Sequence, residues 1–217
     1  MSYSLKSIII DPISKEKPES AVILCHGYGG DGKDISILAN YWKNYLPKTI
    51  FICPDAPEKC SISPSGYQWF ELGEYSEDQI LAKSLVSETK LNKLIDEVKE
   101  KNNISANKIV LSGFSQGCMI SLQTGIKRKD KINCILGYSG RIISPNYLAK
   151  NINSRPNVML MHGDKDMVVP ITSLLEAKDF FNKNNYTIET KIFKNCEHRI
   201  PTEGSSIGLE FIKKNLY

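Results

Sequence analysis

The sequence predicts an α/β fold in which a mostly parallel central sheet carries helices on both faces. Short apolar runs rich in β-branched residues predict strands at 21–25, 49–53, 108–112, 132–138, 157–161 and 187–193. Apolar residues at helical spacing predict helices at 35–46, 77 to about 101, 116–126, 171–182 and 203–216. Because strands and helices alternate along almost the whole chain, successive strands should lie parallel in one sheet.

The individual elements carry further signals. The strand runs mostly lack polar alternation, which is typical of strands buried on both faces. The second predicted helix begins after Ser76, and Gln79 three residues later completes a capping box. Its apolar face is formed by Leu81, Leu85, Leu91, Leu94, Ile95 and Val98. Ligands bind at the carboxyl ends of the strands in such sheets, so the residues that follow each strand should contain the functional site.

Length and composition limit the class of protein. At 217 residues the chain is long enough for one sizeable core and short for two, so residues 1–217 should form a single domain. With 41% hydrophobic and 24% charged residues, the composition is that of a soluble globular protein. The net charge of +4 is too small and diffuse to indicate nucleic-acid binding. No apolar run approaches membrane-spanning length, so we expect a cytoplasmic protein without integral membrane contact.

The strongest chemical signal is Gly113-Phe114-Ser115-Gln116-Gly117, which stands between a predicted strand and a predicted helix. This is the Gly-x-Ser-x-Gly nucleophile elbow in its strand-turn-helix context. Glycines flank the serine because side chains at those two positions would collide with the neighbouring strand or helix. The pattern predicts that Ser115 is a catalytic nucleophile held at the amino terminus of a helix.

A serine nucleophile needs a general base, and the chain has three histidines. His26 and His162 each end a predicted strand and precede a glycine, which favours a role in shaping a loop. His198 follows the last predicted strand in a polar loop, directly before the final helix. This position favours His198 as the base.

The acid that orients the base should lie between the serine and the histidine, because α/β-hydrolases carry nucleophile, acid and base in that chain order. Asp164 and Asp166 follow the predicted strand at 157–161 and both satisfy this order. Spacing alone does not separate these two candidates.

A glycine-rich loop, His26-Gly27-Tyr28-Gly29-Gly30, ends the first predicted strand. It is similar to the His-Gly loop that supplies one half of an oxyanion hole, and the backbone N–H of Gln116 would supply the other half. A dinucleotide-binding loop is the alternative interpretation. The glycine spacing does not fit Gly-x-Gly-x-x-Gly, so the oxyanion interpretation is favoured.

Together these motifs resemble the phospholipase/carboxylesterase family of α/β-hydrolases, which includes the acyl-protein thioesterases. The resemblance runs nearly from end to end and rests on the segments 24–30, 54–57, 113–117 and 162–166, with Val169-Pro170 and His198. It implies that Asp166 is the acid, that Tyr28 and Gln116 supply the oxyanion N–H groups, and that Trp69 lies beside the acyl pocket and binds substrate.

The predicted activity is therefore hydrolysis of carboxylic esters or thioesters through an acyl-enzyme, without a metal ion or an organic cofactor. The partner would be a small-molecule ester or an acylated substrate, and the residues leave open whether the protein forms a homodimer. The cluster of Tyr67, Trp69, Phe70 and Leu72 either lines the acyl site or packs the core. Two alternatives are a dienelactone-hydrolase-like or peptidase-like enzyme and a non-catalytic binding protein on the same fold.

Overall fold

The centre of the fold is a seven-stranded sheet, as seen in a computed structural model that describes residues 3–217. The strands are β1 (Ser7–Ile10), β2 (Ser20–Cys25), β3 (Thr49–Pro54), β4 (Glu58–Lys59), β5 (Tyr67–Gln68), β6 (Ile109–Phe114), β7 (Cys134–Tyr138), β8 (Asn157–Gly163) and β9 (Glu189–Phe193). The sheet order is β1-β3-β2-β6-β7-β8-β9, while β4 and β5 form a separate antiparallel pair.

The predicted parallel sheet is confirmed, and all six predicted strands are present in it. Each neighbouring pair from β3 to β9 runs parallel, whereas β1 runs antiparallel to β3, with Ile9 opposite Ile52. Strand β1 is an addition to the prediction. It is a short edge strand whose run of three isoleucines resembles many other short apolar segments.

Helices cover both faces of the sheet. They are α1 (Gly32–Trp42), α2 (Glu77–Asn102), α3 (Gln116–Lys127), α4 (Pro145–Ala149), α5 (Thr172–Lys183) and α6 (Thr202–Leu216). Five of these helices were predicted, and α4 is a short addition. The capping box at the start of α2 is present: the Ser76 side chain accepts from the Gln79 N–H, and the Gln79 side chain accepts from the Ser76 N–H.

The alternation of side chains along each strand divides the core into two layers. Ala21 and Ile23 of β2 pack in the layer that contains α2, α3 and α5. Val22 and Leu24 pack in the layer that contains α1 and α6. Since β2 is fully buried, its apolar residues are needed on both faces, which explains the continuous apolar run.

The carboxyl ends of four parallel strands position the functional loops. Strands β2, β6, β8 and β9 end at one edge, and each is followed by one of the predicted motifs: the glycine-rich loop, Ser115, the segment 164–170 and His198. Residues far apart in sequence therefore meet where the parallel strands end.

Candidate active site

Ser115 occupies a sharp turn between β6 and α3. Its backbone has φ 53° and ψ −118°, and its N–H donates to the carbonyl oxygen of Tyr138 at 2.9 Å. A Cβ on Gly113 would lie 2.2 Å from the Gly117 carbonyl, and one on Gly117 would lie 2.1 Å from the Cys25 carbonyl oxygen. Both positions exclude side chains, as the sequence predicted. A non-glycine residue at such a φ stores about 1–3 kcal/mol of strain, which is characteristic of functional sites.

His198 and Asp166 form a close pair. His198 Nδ1 lies 2.7 Å from Asp166 Oδ2, and Asp166 Oδ1 accepts from the N–H groups of Val168 at 3.0 Å and Val169 at 2.8 Å. Burial raises the pKa of Asp166, but the hydrogen bonds from His198 and from the two backbone N–H groups outweigh it and hold that pKa below its ordinary value. Asp166 is thus kept as a carboxylate that can accept a hydrogen bond from His198.

His198 also lies beside the turn that carries Ser115. Its ring packs on Phe114 with 4.7 Å between the ring centroids, and it lines the same cavity as Ser115. Within residues 3–217, no hydrogen bond joins Ser115 Oγ to His198. Such contacts are often loose in ligand-free enzymes and tighten when substrate binds.

Asp164 lies two residues from Asp166 but outside this pair. Its backbone N–H donates to the Phe193 carbonyl oxygen at 3.0 Å, while its side-chain Oδ1 is buried without a hydrogen-bond partner. The chain turns tightly here, with the Asp166 N–H donating to the Gly163 carbonyl oxygen, and of the two aspartates only Asp166 contacts His198.

The remaining histidines are both buried and bonded to the backbone. His26 Nε2 accepts from the Ala56 N–H at 2.9 Å, so Nδ1 carries the proton and donates to the Gly27 carbonyl oxygen at 2.6 Å. His162 Nε2 lies 2.8 Å from the Val169 carbonyl oxygen. Burial lowers the pKa of both side chains, which therefore serve as neutral supports for two site loops.

Tyr28 and Gln116, whose backbone N–H groups the sequence assigned to an oxyanion hole, line the same cavity as Ser115. Across the described part of the chain, neither N–H donates to another backbone group. Gln116 is also the first residue of α3, where the helix dipole favours negative charge.

Trp69 lies in the core rather than at the cavity surface. Its side chain is fully buried and lines neither cavity at the site. The indole Nε1–H donates to the His26 carbonyl oxygen at 2.9 Å, and the Trp69 backbone N–H donates to Gln116 Oε1 at 3.0 Å. Of the two interpretations of the aromatic cluster, this burial favours core packing for Trp69, which hydrogen-bonds to the His26 backbone and the Gln116 side chain.

Two cavities meet at the site. The first, of about 450 Å³, contains Ser115 and has an apolar wall formed by Leu72, Met119, Val168, Val169 and Pro170; Arg141 and Ser173 are among its polar residues. The second, of about 400 Å³, has an apolar wall formed by Ile35, Ile37, Leu38 and Ile200. Both are lined by Gly27, Tyr28, Phe114 and His198. His198 therefore stands at the junction between them.

Several of these wall residues were not predicted. Met119 lies one turn into α3 after Ser115, and Arg141 lies three residues after the end of β7. The sequence already placed Met119 on the predicted helix after Ser115 and Arg141 just after a predicted strand. Their orientation toward the cavity depends on how the loops fold, which spacing does not indicate.

The elbow, its strand order and the helices on both faces define the protein as an α/β-hydrolase. A model of the phospholipase/carboxylesterase family matches residues 7–216, almost the whole chain. The chain belongs to this family, and it is a hydrolase of ester bonds.

Individual relatives agree with this assignment. Acyl-protein thioesterase 1 of Saccharomyces cerevisiae is 31% identical over 212 residues, which cover 90% of this chain and 92% of the relative. The crystal structure of esterase PE8 superposes with a TM-score of 0.93 at 31% identity and covers 98% of this chain and 99% of that one. Acyl-protein thioesterase 2 of Zea mays shares the fold, with a TM-score of 0.71 at 18% identity over 98% of this chain and 99% of that one. None of the helices formed by residues 3–217 is long and apolar enough to cross a bilayer.

Proposed function

We propose that the protein hydrolyses carboxylic esters or thioesters in two acyl-transfer steps, with Ser115 as nucleophile, His198 as general base and Asp166 as the orienting acid. The observation that carries this proposal is the 2.7 Å contact between His198 and Asp166 beside the cavity that contains Ser115. The sequence order of nucleophile, acid and base also matches that of α/β-hydrolases.

The Asp166 carboxylate fixes the tautomer of the base. Because Asp166 is an acceptor only, His198 must carry its proton on Nδ1, which leaves Nε2 free to accept a proton from Ser115. Ser115 Oγ then attacks the carbonyl carbon, and the protonated His198 gives its proton to the departing alcohol or thiol. A water molecule attacks the acyl-enzyme by the same route and releases the acid.

The N–H groups of Tyr28 and Gln116 would hold the oxygen that becomes negative in each tetrahedral intermediate. Loss of one such donor typically costs about 3 kcal/mol of transition-state stabilisation. Trp69 would act as a positioning residue, since it donates to the His26 carbonyl oxygen and to the Gln116 side chain. The His26 ring would do the same by tying its loop to the Ala56 N–H.

The two cavities suggest how the substrate lies. The acyl group would occupy the first cavity, which contains Ser115, Gln116 and the apolar wall. The leaving group would point to the second cavity, which His198 lines and Ser115 does not, since the proton donor must face the leaving atom. Burial of acyl methylenes on the apolar wall would favour medium or long chains by up to about 0.8 kcal/mol per methylene.

The names of the fungal relatives support acylated proteins as one substrate class, alongside small-molecule esters. All six cysteines are free thiols, which is typical of a reducing compartment and supports a cytoplasmic location. The proposed reaction needs no metal ion or organic cofactor, because the chain itself supplies nucleophile, base and oxyanion donors.

A fluorophosphonate probe tests the nucleophile, because only an activated serine beside an oxyanion hole reacts quickly. We expect one labelled site in the wild type, at Ser115, and none in Ser115→Ala. Ser173→Ala is the matched control, since Ser173 lines the same cavity, and this variant should still be labelled. Labelling that persists in Ser115→Ala would overturn the proposal. Paired oxygen ester and thioester substrates with the same acyl chain then establish which bond is preferred.

A further inference from the structure

Arg141 combines a permanent charge, partial burial in the first cavity and the lack of an ion-pair partner among residues 3–217. It is half-buried and is the only permanently charged side chain in the described lining of the first cavity. Arg128 is held by Asp96 and Asp130, and Arg155 donates to two backbone carbonyls, whereas the Arg141 guanidinium makes no hydrogen bond or ion pair within residues 3–217.

The backbone that carries Arg141 is fixed. Ser139 has a left-handed φ of 48°, and its N–H donates to the Met161 carbonyl oxygen at 2.8 Å. Gly140 packs so closely on Cys118 that a Cβ there would lie 2.4 Å from the sulfur. Ile142 and the next residue are buried in the core. A strained turn and buried neighbours therefore fix the backbone at Arg141, which lines the first cavity.

We propose that Arg141 binds a carboxylate on the acyl part of the substrate, so that the enzyme prefers esters or thioesters of dicarboxylic acids that keep one acid group free. This inference rests on the proposed function. A guanidinium binds a carboxylate through two parallel hydrogen bonds, and this geometry suits a cavity that offers no competing acidic side chain. Arg141 shares the first cavity with Ser115, which places the recognised charge on the acyl side of the scissile bond.

The experiment compares p-nitrophenyl monoesters of succinic, glutaric, adipic and suberic acid with the same compounds whose free carboxyl is capped as a methyl ester. The readout is the ratio of kcat/KM for the charged substrate to that for its capped partner, at a pH near 7 where the free carboxyl is ionised. We expect the wild type to favour the charged form for at least one chain length. Arg141→Gln should lower that ratio by about 10- to 100-fold, the range of a hydrogen-bonded ion pair, and Arg141→Lys should lower it less.

Two further measurements test whether the preference for the charged substrate comes from the charge of Arg141. The wild-type ratio should decline as salt concentration rises, since ions screen the attraction. Lys129→Gln, which removes one exposed positive charge just beyond the carboxyl end of α3, at the opposite end of that helix from Ser115, is the control for net charge and should keep the wild-type ratio.

A wild-type ratio at or below one for every chain length would overturn the inference, as would an Arg141→Gln variant with an unchanged ratio. A ratio that depends on Arg199, which lines the second cavity, instead of Arg141 would place the acyl carboxylate in that second cavity and also overturn the inference. Failure of the proposed function is distinct, because the wild type would then fail to hydrolyse even the capped esters.

Discussion

The replacement of Asp166 by asparagine tests the pairing at the centre of the site. The asparagine side chain has the same size, but one of its two ends is a donor. If its oxygen accepts from Val168 and Val169, its NH₂ group faces His198 Nδ1. His198 must then accept at Nδ1 and carry its proton on Nε2, where it can no longer take the proton of Ser115.

The expected loss of activity in Asp166→Asn follows from the wrong tautomer of His198. Neutralising the acid of a serine triad lowers kcat by about 10⁴-fold, which corresponds to about 5.4 kcal/mol in the activation free energy. The loss of stability should be smaller, about 1.5–3 kcal/mol, because one hydrogen bond to a charged group is exchanged while the two backbone bonds remain. For a chain of this length, that loss lowers Tm by about 3–12 °C.

Asp164→Asn is the matched control, two residues away in the same loop. Its Oδ1 makes no hydrogen bond, so the amide should change kcat less than about tenfold, as expected for a residue outside the triad. Both variants are assayed for steady-state hydrolysis and thermal melting, so that misfolding is not mistaken for lost chemistry. A folded and active Asp166→Asn, together with an inactive Asp164→Asn, would refute the assignment of the acid.

Three other predictions follow from the packing around the site. Trp69→Phe removes the hydrogen bond to the loop carbonyl, so kcat/KM should fall by a similar factor for acetyl and octanoyl p-nitrophenyl esters; a loss confined to octanoyl would show that the ring contacts substrate. Leu72→Ala removes cavity wall and should reduce octanoyl hydrolysis more than acetyl hydrolysis, and the same ester panel measures it. Because burial lowers the pKa of His26 and His162 in the folded state, the unfolded state binds their protons first as the pH falls below about 6.5. Urea titrations between pH 7 and 5 should therefore show the free energy of unfolding falling by up to about 1.4 kcal/mol per pH unit for each histidine, and a flat profile would contradict their neutral burial.

The sheet and the elbow could be predicted because local rules determine them. Buried parallel strands need apolar side chains on both faces, and Gly113 and Gly117 are required by contacts closer than any side chain permits. Strand β1 and the pair β4 and β5 were beyond prediction, since four-residue and two-residue strands carry too few side chains for a periodic signal.

The site could be predicted only in part. Sequence order allows either Asp164 or Asp166, and the choice depends on a loop conformation in which the backbone N–H groups of Val168 and Val169 hold one carboxylate against His198. Trp69 is another such case. An aromatic residue near a site can form either a cavity wall or part of the core. Only the structure, in which the Trp69 indole N–H donates to the buried His26 carbonyl oxygen, distinguishes these two roles.

The left-handed turn at Ser115 gives this position opposing requirements. Glycine adopts a φ of 53° without strain, so Ser115→Gly should relieve much of the 1–3 kcal/mol stored at the elbow, offset by about 0.5–1 kcal/mol from the greater freedom of glycine in the unfolded chain. The inactive variant should then be at least as stable as the wild type. In a homologue that is no longer selected for catalysis, we therefore expect glycine to replace serine at position 115 while the residues that form the rest of the fold are retained.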